Sequence, residues 1–200
     1  MQTQVLQEHP GRLGTRDDYE YLLVISPAAG VYDQLVEEKK QFYDTYKHEA
    51  AMWTKPHITV ARFNAKEAME DTIIRYMHRI LSTHQSFSVM LNNYSGTPND
   101  EIFIRVQQRE PFKQLASALG AVDEYIQRSG YPAAKFSAPH LSIAKRLQEN
   151  IYNKAIFDYS QRIFNASFVV SELLLLKRQN KSERFKMVNV FKLTPEMMNN

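Results

Sequence analysis

From Tyr19 onward the chain switches repeatedly between a two-residue and a helical hydrophobic period, and each switch marks an element. Tyr19-Glu20-Tyr21-Leu22-Leu23-Val24-Ile25-Ser26 reads as a strand, and Pro27 to Gly30 turns the chain into a helix from about Val31 to Tyr46. A loop, His48 to Lys55, leads to a strand over His57 to Phe63. The next helix, about Lys66 to Thr83, carries Met69, Ile73, Ile74, Met77, Ile80 and Leu81 at helical spacing. A strand Phe87 to Tyr94, a turn Gly96 to Asp100 and a strand Ile102 to Gln107 follow. Then the order starts again. Pro111 to Arg128 is a helix with proline in its first turn, Ser129-Gly130-Tyr131-Pro132 breaks it, and His140 to Leu147 is a strand. A helix over Asn150 to Phe164 and strands over Phe168 to Leu176 and Arg184 to Leu193, around a polar turn at Gln179 to Glu183, complete the pattern.

Strand, helix, strand, helix, strand thus occurs twice, which predicts a duplicated, pseudo-symmetric α+β fold. The expected arrangement is bilobal, with lobes of about 19–95 and 101–193 inside one domain, 19–200, and exchange of elements between lobes permitted. Antiparallel sheets should line a central cleft, with helices packed outside. Residues 1–18 are polar, carry Pro10, Gly11 and Gly14, and read as an N-terminal arm.

The repeat places two near-identical segments in equivalent strands: Pro56-His57-Ile58-Thr59-Val60-Ala61 and Pro139-His140-Leu141-Ser142-Ile143-Ala144. Strand side chains alternate faces, so His57 and Thr59 project together, as do His140 and Ser142, while Ile58, Val60, Leu141 and Ile143 point to the core. By the same alternation Arg62 and Lys145 fall on the core-facing side. Two imidazoles and two hydroxyls around one small volume suit in-line displacement at a phosphodiester. One histidine takes a proton from the attacking oxygen, and the other gives one to the leaving oxygen. Thr59 and Ser142 would stabilise charge on the phosphoryl oxygens, and no metal or other cofactor is required.

Composition narrows the alternatives. Two hundred residues with 44% hydrophobic content can bury a core. There is no cysteine, which excludes thiolate nucleophiles, disulfides and Cys-based zinc sites. A net charge of +3 is compatible with a polyanionic ligand. The N-terminus has no signal-peptide pattern and no stretch reaches membrane-spanning length, so a monomeric cytoplasmic protein without a membrane partner is expected. Leu173-Leu174-Leu175-Leu176 reads as a strand buried on both faces. His9, His48, His78 and His84 read as surface residues.

On the paired His-Ile-Thr-Val and His-Leu-Ser-Ile segments, the chain resembles the two-histidine (2H) phosphoesterase superfamily, which includes proteins of the 2'-5' RNA ligase type and cyclic nucleotide phosphodiesterases. The resemblance implies a bilobal α+β fold, His57, Thr59, His140 and Ser142 as catalytic residues, and metal-independent work on 2',3'-cyclic phosphates or 2'-5' linked RNA. The partner is then a nucleotide or RNA bearing a 2'-oxygen phosphoester, and ligation is the reverse of hydrolysis. A sensor that binds nucleotide or RNA without turnover is the alternative. Around the motifs, Trp53 and Phe136 are candidates for stacking a base, Lys55 and Arg146 for a phosphate, and Tyr131 and Tyr94 for the cleft rim, each weighed against ordinary packing or solvation.

Overall fold

The computed structural model describes residues 17–195. Of the expected arm, residues 1–16 lie outside the described residues. Nine strands and five α-helices follow: β1 (Asp18–Ile25), α1 (Ala29–Tyr46), β2 (Ile58–Lys66), α2 (Glu70–Leu81), β3 (Phe87–Thr97), β4 (Glu101–Val106), α3 (Glu110–Ala118), α4 (Gly120–Arg128), β5 (Lys135–Phe136), β6 (His140–Ala144), α5 (Glu149–Ser160), β7 (Asn165–Val170), β8 (Glu172–Arg178) and β9 (Lys186–Lys192). The strands form one antiparallel sheet in the order β7-β3-β4-β6-β2-β1-β8-β9, with β5 pairing β2.

Two half-sheets, β2-β1-β8-β9 and β6-β4-β3-β7, meet where β2 pairs β6 at Ile58 and Leu141. Strand β3 comes from the first repeat but lies in the half-sheet of β6, and β8 and β9 come from the second but lie beside β1. The crossing explains why the expected strand Phe168–Leu176 is two strands. Hydrogen-bonding partners change at Ser171: β7 pairs β3 at one end of the sheet, and β8 pairs β1 at the other.

The helices cover one face. On α2, Ile73, Met77 and Leu81 are buried, and Glu70 and Asp71 open the helix while His78 and Arg79 close it, as its dipole favours. The expected helix 111–128 is divided at Leu119, beside Gly120, and the helix expected to run to Phe164 stops at Ser160. Core-facing Tyr21, Leu23, Ile25, Ile58, Leu141, Leu173, Leu175 and Phe191 join the buried helix residues in one cluster. Leu22 and Val24 are buried but stand on the opposite, helix-free face, and Leu174 and Leu176 there are only half-buried, so β8 is not enclosed on both sides. No helix among the described residues is long and apolar enough to cross a membrane.

Candidate active site

The pairing of Ile58 with Leu141 positions the two motifs. Extending that antiparallel register by one residue sets His57 opposite Ser142 and Thr59 opposite His140. Cross-strand neighbours lie about 5 Å apart at Cβ, so the four groups form a compact square on the helix-free face.

Both strands then break their alternation at the same place. Leu23 pairs Ala61 but Val24 pairs Thr59, leaving Val60 as a bulge; Ile102 pairs Ala144 but Phe103 pairs Ser142, leaving Ile143 as a bulge. Strict alternation placed Arg62 and Lys145 on the core side and Ala61 and Ala144 with the histidines. The bulges invert this: Ala61 and Ala144 are buried, whereas Arg62 and Lys145 are exposed on the face of the motif. Arg62 pairs with Glu20 at 3.0 Å, and Lys145 lies 3.5 Å from Glu101.

Each imidazole is held in the same way. Nδ1 of His57 contacts the Lys55 carbonyl oxygen at 2.8 Å, and Nδ1 of His140 contacts that of Ala138 at 2.8 Å. A carbonyl only accepts, so Nδ1 carries the proton and the neutral ring keeps its lone pair at Nε2.

The surroundings of Nε2 differ. Glu101, the first residue of β4, is 6% exposed and places one carboxylate oxygen, Oε1, 3.3 Å from Nε2 of His140 and within hydrogen-bond reach of the Ser142 hydroxyl, which donates to it. At the corresponding position of β1 stands Leu22, so nothing equivalent faces His57 and Thr59. The Thr59 hydroxyl makes no hydrogen bond with another described residue. The Glu101 carboxylate raises His140 above the usual 6.5 against burial and Lys145, which lower it. Burial lowers His57, and Lys145, Lys39 and Arg62 add to that, against the Lys55 carbonyl. Burial pushes the Glu101 carboxyl up, but His140, Ser142 and Lys145 outweigh it and hold the group below the carboxylate range.

A second asymmetry lies behind the sheet. Lys39 of α1 is 3% exposed, and its ammonium donates to the carbonyls of Ser142 at 3.3 Å and Ile143 at 3.0 Å, bracing the second bulge. Burial pulls it down to about 8, with Lys145 adding and Glu101 opposing. The Val60 carbonyl of the first bulge instead accepts from the backbone N–H of Ser137 at 3.3 Å.

The floor of the face also differs between halves. Cross-strand partners continue from Thr59 through Val24 and Leu174 to Val190, an apolar row. From His140 they continue through Arg105 and Asn92 to Asn165, a polar one. Phe103, opposite Ser142, sets its ring 5.0 Å from that of His140.

Of the flanking candidates, Trp53 is 65% exposed, and Lys55 is exposed with its carbonyl engaged by His57. Arg146 is exposed, at a left-handed φ of 59° just past β6. Phe136 does not stand in the cleft: it pairs with core-facing Ala61 and packs against the core, and it is its neighbour Lys135, opposite Arg62, that takes the motif face. Tyr131 is half-buried, its hydroxyl donating to Asp18 of β1. Tyr94 is core, edge-on to Tyr159 and Phe164. His48 is not a free surface residue, since its Nε2 meets the Lys145 carbonyl oxygen at 2.8 Å and ties the loop after α1 to the second motif. His78 is exposed and His84 half-buried, and His9 lies outside the described residues.

Sequence reasoning missed Glu101, Arg105, Phe103 and Lys39. The first three carried a signal, because in Glu101-Ile102-Phe103-Ile104-Arg105 the apolar Ile102 and Ile104 assign the other parity to the motif face. Lys39 carried none, being one basic residue among several on a helix. Among the described residues no cluster of three His, Asp or Glu side chains could hold a metal ion.

Residues 29–182 match the family described as the 2'-5' RNA ligase superfamily, and the chain belongs to that superfamily of two-histidine phosphoesterases. No curated protein matches the chain in sequence. Among solved structures it resembles Escherichia coli LigT in its apo form, with a TM-score of 0.66 and 16% identity over 88% of this chain and 98% of that one. It also resembles E. coli LigT complexed with 3'-AMP, with a TM-score of 0.61 and 18% identity over 88% and 99%. The protein TT0787 of Thermus thermophilus matches with a TM-score of 0.63 and 18% identity over 88% and 99%. At these identities the likeness is one of fold.

Proposed function

We propose that the chain is a phosphodiesterase acting where a phosphoester meets a ribose 2'-oxygen, in a 2',3'-cyclic phosphate or a 2'-5' linkage, with His57 and His140 as its acid–base pair. The observation that carries this reading is the adjacency of β2 and β6, which brings both imidazoles and both hydroxyls to one face. In hydrolysis, one Nε2 takes a proton from water as its oxygen bonds to phosphorus. The bond from phosphorus to the ribose oxygen breaks, and the other Nε2 gives that oxygen a proton. One water is consumed and no charge is gained or lost. Thr59, with its hydroxyl uncommitted, is placed to donate to a non-bridging oxygen as negative charge builds there. Arg105 and Lys135, together with Lys145 and Arg62, which are paired with Glu101 and Glu20, supply cationic groups on the face for a phosphate. That LigT, a structure of the same fold, was solved with 3'-AMP, ATP and phosphate supports a nucleotide ligand.

The test is incubation with 2',3'-cyclic nucleotides, 2'-5' and 3'-5' dinucleotides and cyclic dinucleotides in EDTA, with products resolved by mass. Ring opening of the cyclic phosphate or cleavage of the 2'-5' linkage is expected. Turnover confined to 3'-5' linkages, or tight binding of a cyclic phosphate with no product, would overturn the reading.

A further inference from the structure

The acid–base reading, on which this inference rests, does not by itself say which histidine does what, because the repeat makes His57 and His140 formally equivalent. The equivalence ends at Nε2. Leu22 and Glu101 occupy the same place beside the two motif strands, one aliphatic and one a carboxylate. We propose that Glu101 is a positioning residue that divides the labour of the two histidines, making His140 the general acid and His57 the general base.

Three observations converge. First, with Nδ1 of His140 donating to the Ala138 carbonyl, a carboxylate oxygen 3.3 Å from Nε2 is favourable only when Nε2 also carries a proton. His57, with Nδ1 donating to Lys55 and no ion pair to a carboxylate among the described residues, keeps a lone pair at Nε2.

Second, the charged groups facing the rings sort the same way. His140 faces Glu101 from β4 and Lys145 from the end of its own strand, with Arg105 of β4 directly across the strand pair from it and Phe103 against its ring. The charged groups that act most on His57 are cations: Lys145, Lys39 from α1 behind the sheet, and Arg62 from β2, which is itself paired with Glu20 of β1. The net field favours imidazolium at 140 and neutral imidazole at 57.

Third, the Ser142 hydroxyl spends its hydrogen on Glu101. Ser142 therefore steadies the carboxylate, and Thr59 is the motif hydroxyl left to serve the phosphoryl oxygens. The reaction then has a direction: water loses its proton to Nε2 of His57, and the departing ribose oxygen takes the proton of Nε2 of His140.

A pH profile of the wild type alone does not separate this assignment from its reverse, since both give a bell. Leaving-group dependence does. The experiment compares a 2',3'-cyclic nucleotide with the 4-nitrophenyl ester of a nucleoside 2'-phosphate, whose nitrophenolate departs without a proton. His140→Ala should lose roughly 10²–10⁴-fold on the cyclic substrate but stay within about tenfold of wild type on the nitrophenyl ester, while His57→Ala loses on both. Glu101→Gln should lower kcat on the cyclic substrate by about tenfold or more, move the basic limb of its profile to lower pH, and scarcely touch the nitrophenyl ester. Glu101→Asp, which keeps the charge but withdraws it, should move the limb in the same direction by less. It supplies the result if the glutamine variant does not fold, as judged by circular dichroism. Rescue of His57→Ala instead of His140→Ala overturns the assignment, and a basic limb that stays put in a folded Glu101 variant overturns the role of Glu101. Full activity of both histidine variants would sink the proposed function itself.

Discussion

The half-sheet of His57 and the half-sheet of His140 share a motif, a bulge one residue past the hydroxyl, and an Nδ1 contact of 2.8 Å to the carbonyl two residues back. They differ in the side chains that flank the motifs. On the strand of His57, Leu22 stands opposite Arg62 and an apolar row runs from Thr59 through Val24, Leu174 and Val190; beside His140 stand Glu101 and a polar row through Arg105, Asn92 and Asn165. The shared backbone geometry aims both imidazoles at one face, and the unequal neighbours are what the proposed division into an acid and a base requires.

The comparison can be broken at several points. The largest effect belongs to the histidines: His57→Ala and His140→Ala should each remove roughly 10²–10⁴-fold or more of kcat on a ribose leaving group, and the double variant little further, because the pair acts as a unit. Multiplying losses in the double variant would mean two independent sites. Next comes the contrast of hydroxyls. Thr59→Ala should cost about 10²-fold in kcat as a lost transition-state donor, and Ser142→Ala should instead shift the basic limb of the pH profile, since its partner is Glu101. Equal effects on kcat with no shift would make the hydroxyls equivalent again.

Lys39 sharpens the comparison through stability. Its folded value, about 8, lies below the ordinary 10.5, so the unfolded chain holds more protons between those values. That contribution makes the fold more stable as pH rises through this window, and thermal unfolding of Lys39→Met against wild type should show the rise disappear. No difference in pH dependence between the two would remove Lys39 as the buried charge. The smallest effect is at Trp53, exposed in the loop before the first motif: Trp53→Ala should raise KM a few-fold, about 1 kcal/mol or less of stacking, with kcat unchanged.

Much of this architecture was legible in the chain itself. The paired motifs 83 residues apart, the doubled element order and the face shared by His57 and Thr59 follow from period alone, and they locate the site. What alternation missed was a one-residue event. A bulge leaves no mark in Val60 or Ile143, which are apolar either way, yet it turns Arg62 and Lys145 from the core side to the motif face. The crossing at Ser171 was hidden for a similar reason, since Phe168 to Leu176 is mostly apolar and β-propensity says nothing about which edge a strand joins. Phe136 shows the limit for aromatics, because a ring four residues before a histidine can lie on either face, and here its pairing with Ala61 sends it inward.

The central claim is that one duplicated site holds two unequal histidines, and it is tested most directly by nitrogen-detected NMR titration of both imidazoles in the wild-type protein, assigned with the single alanine variants. His140 should titrate above the ordinary 6.5 and His57 below it, each with Nδ1 protonated in its neutral form. Coincident titrations, or His57 above His140, would contradict it.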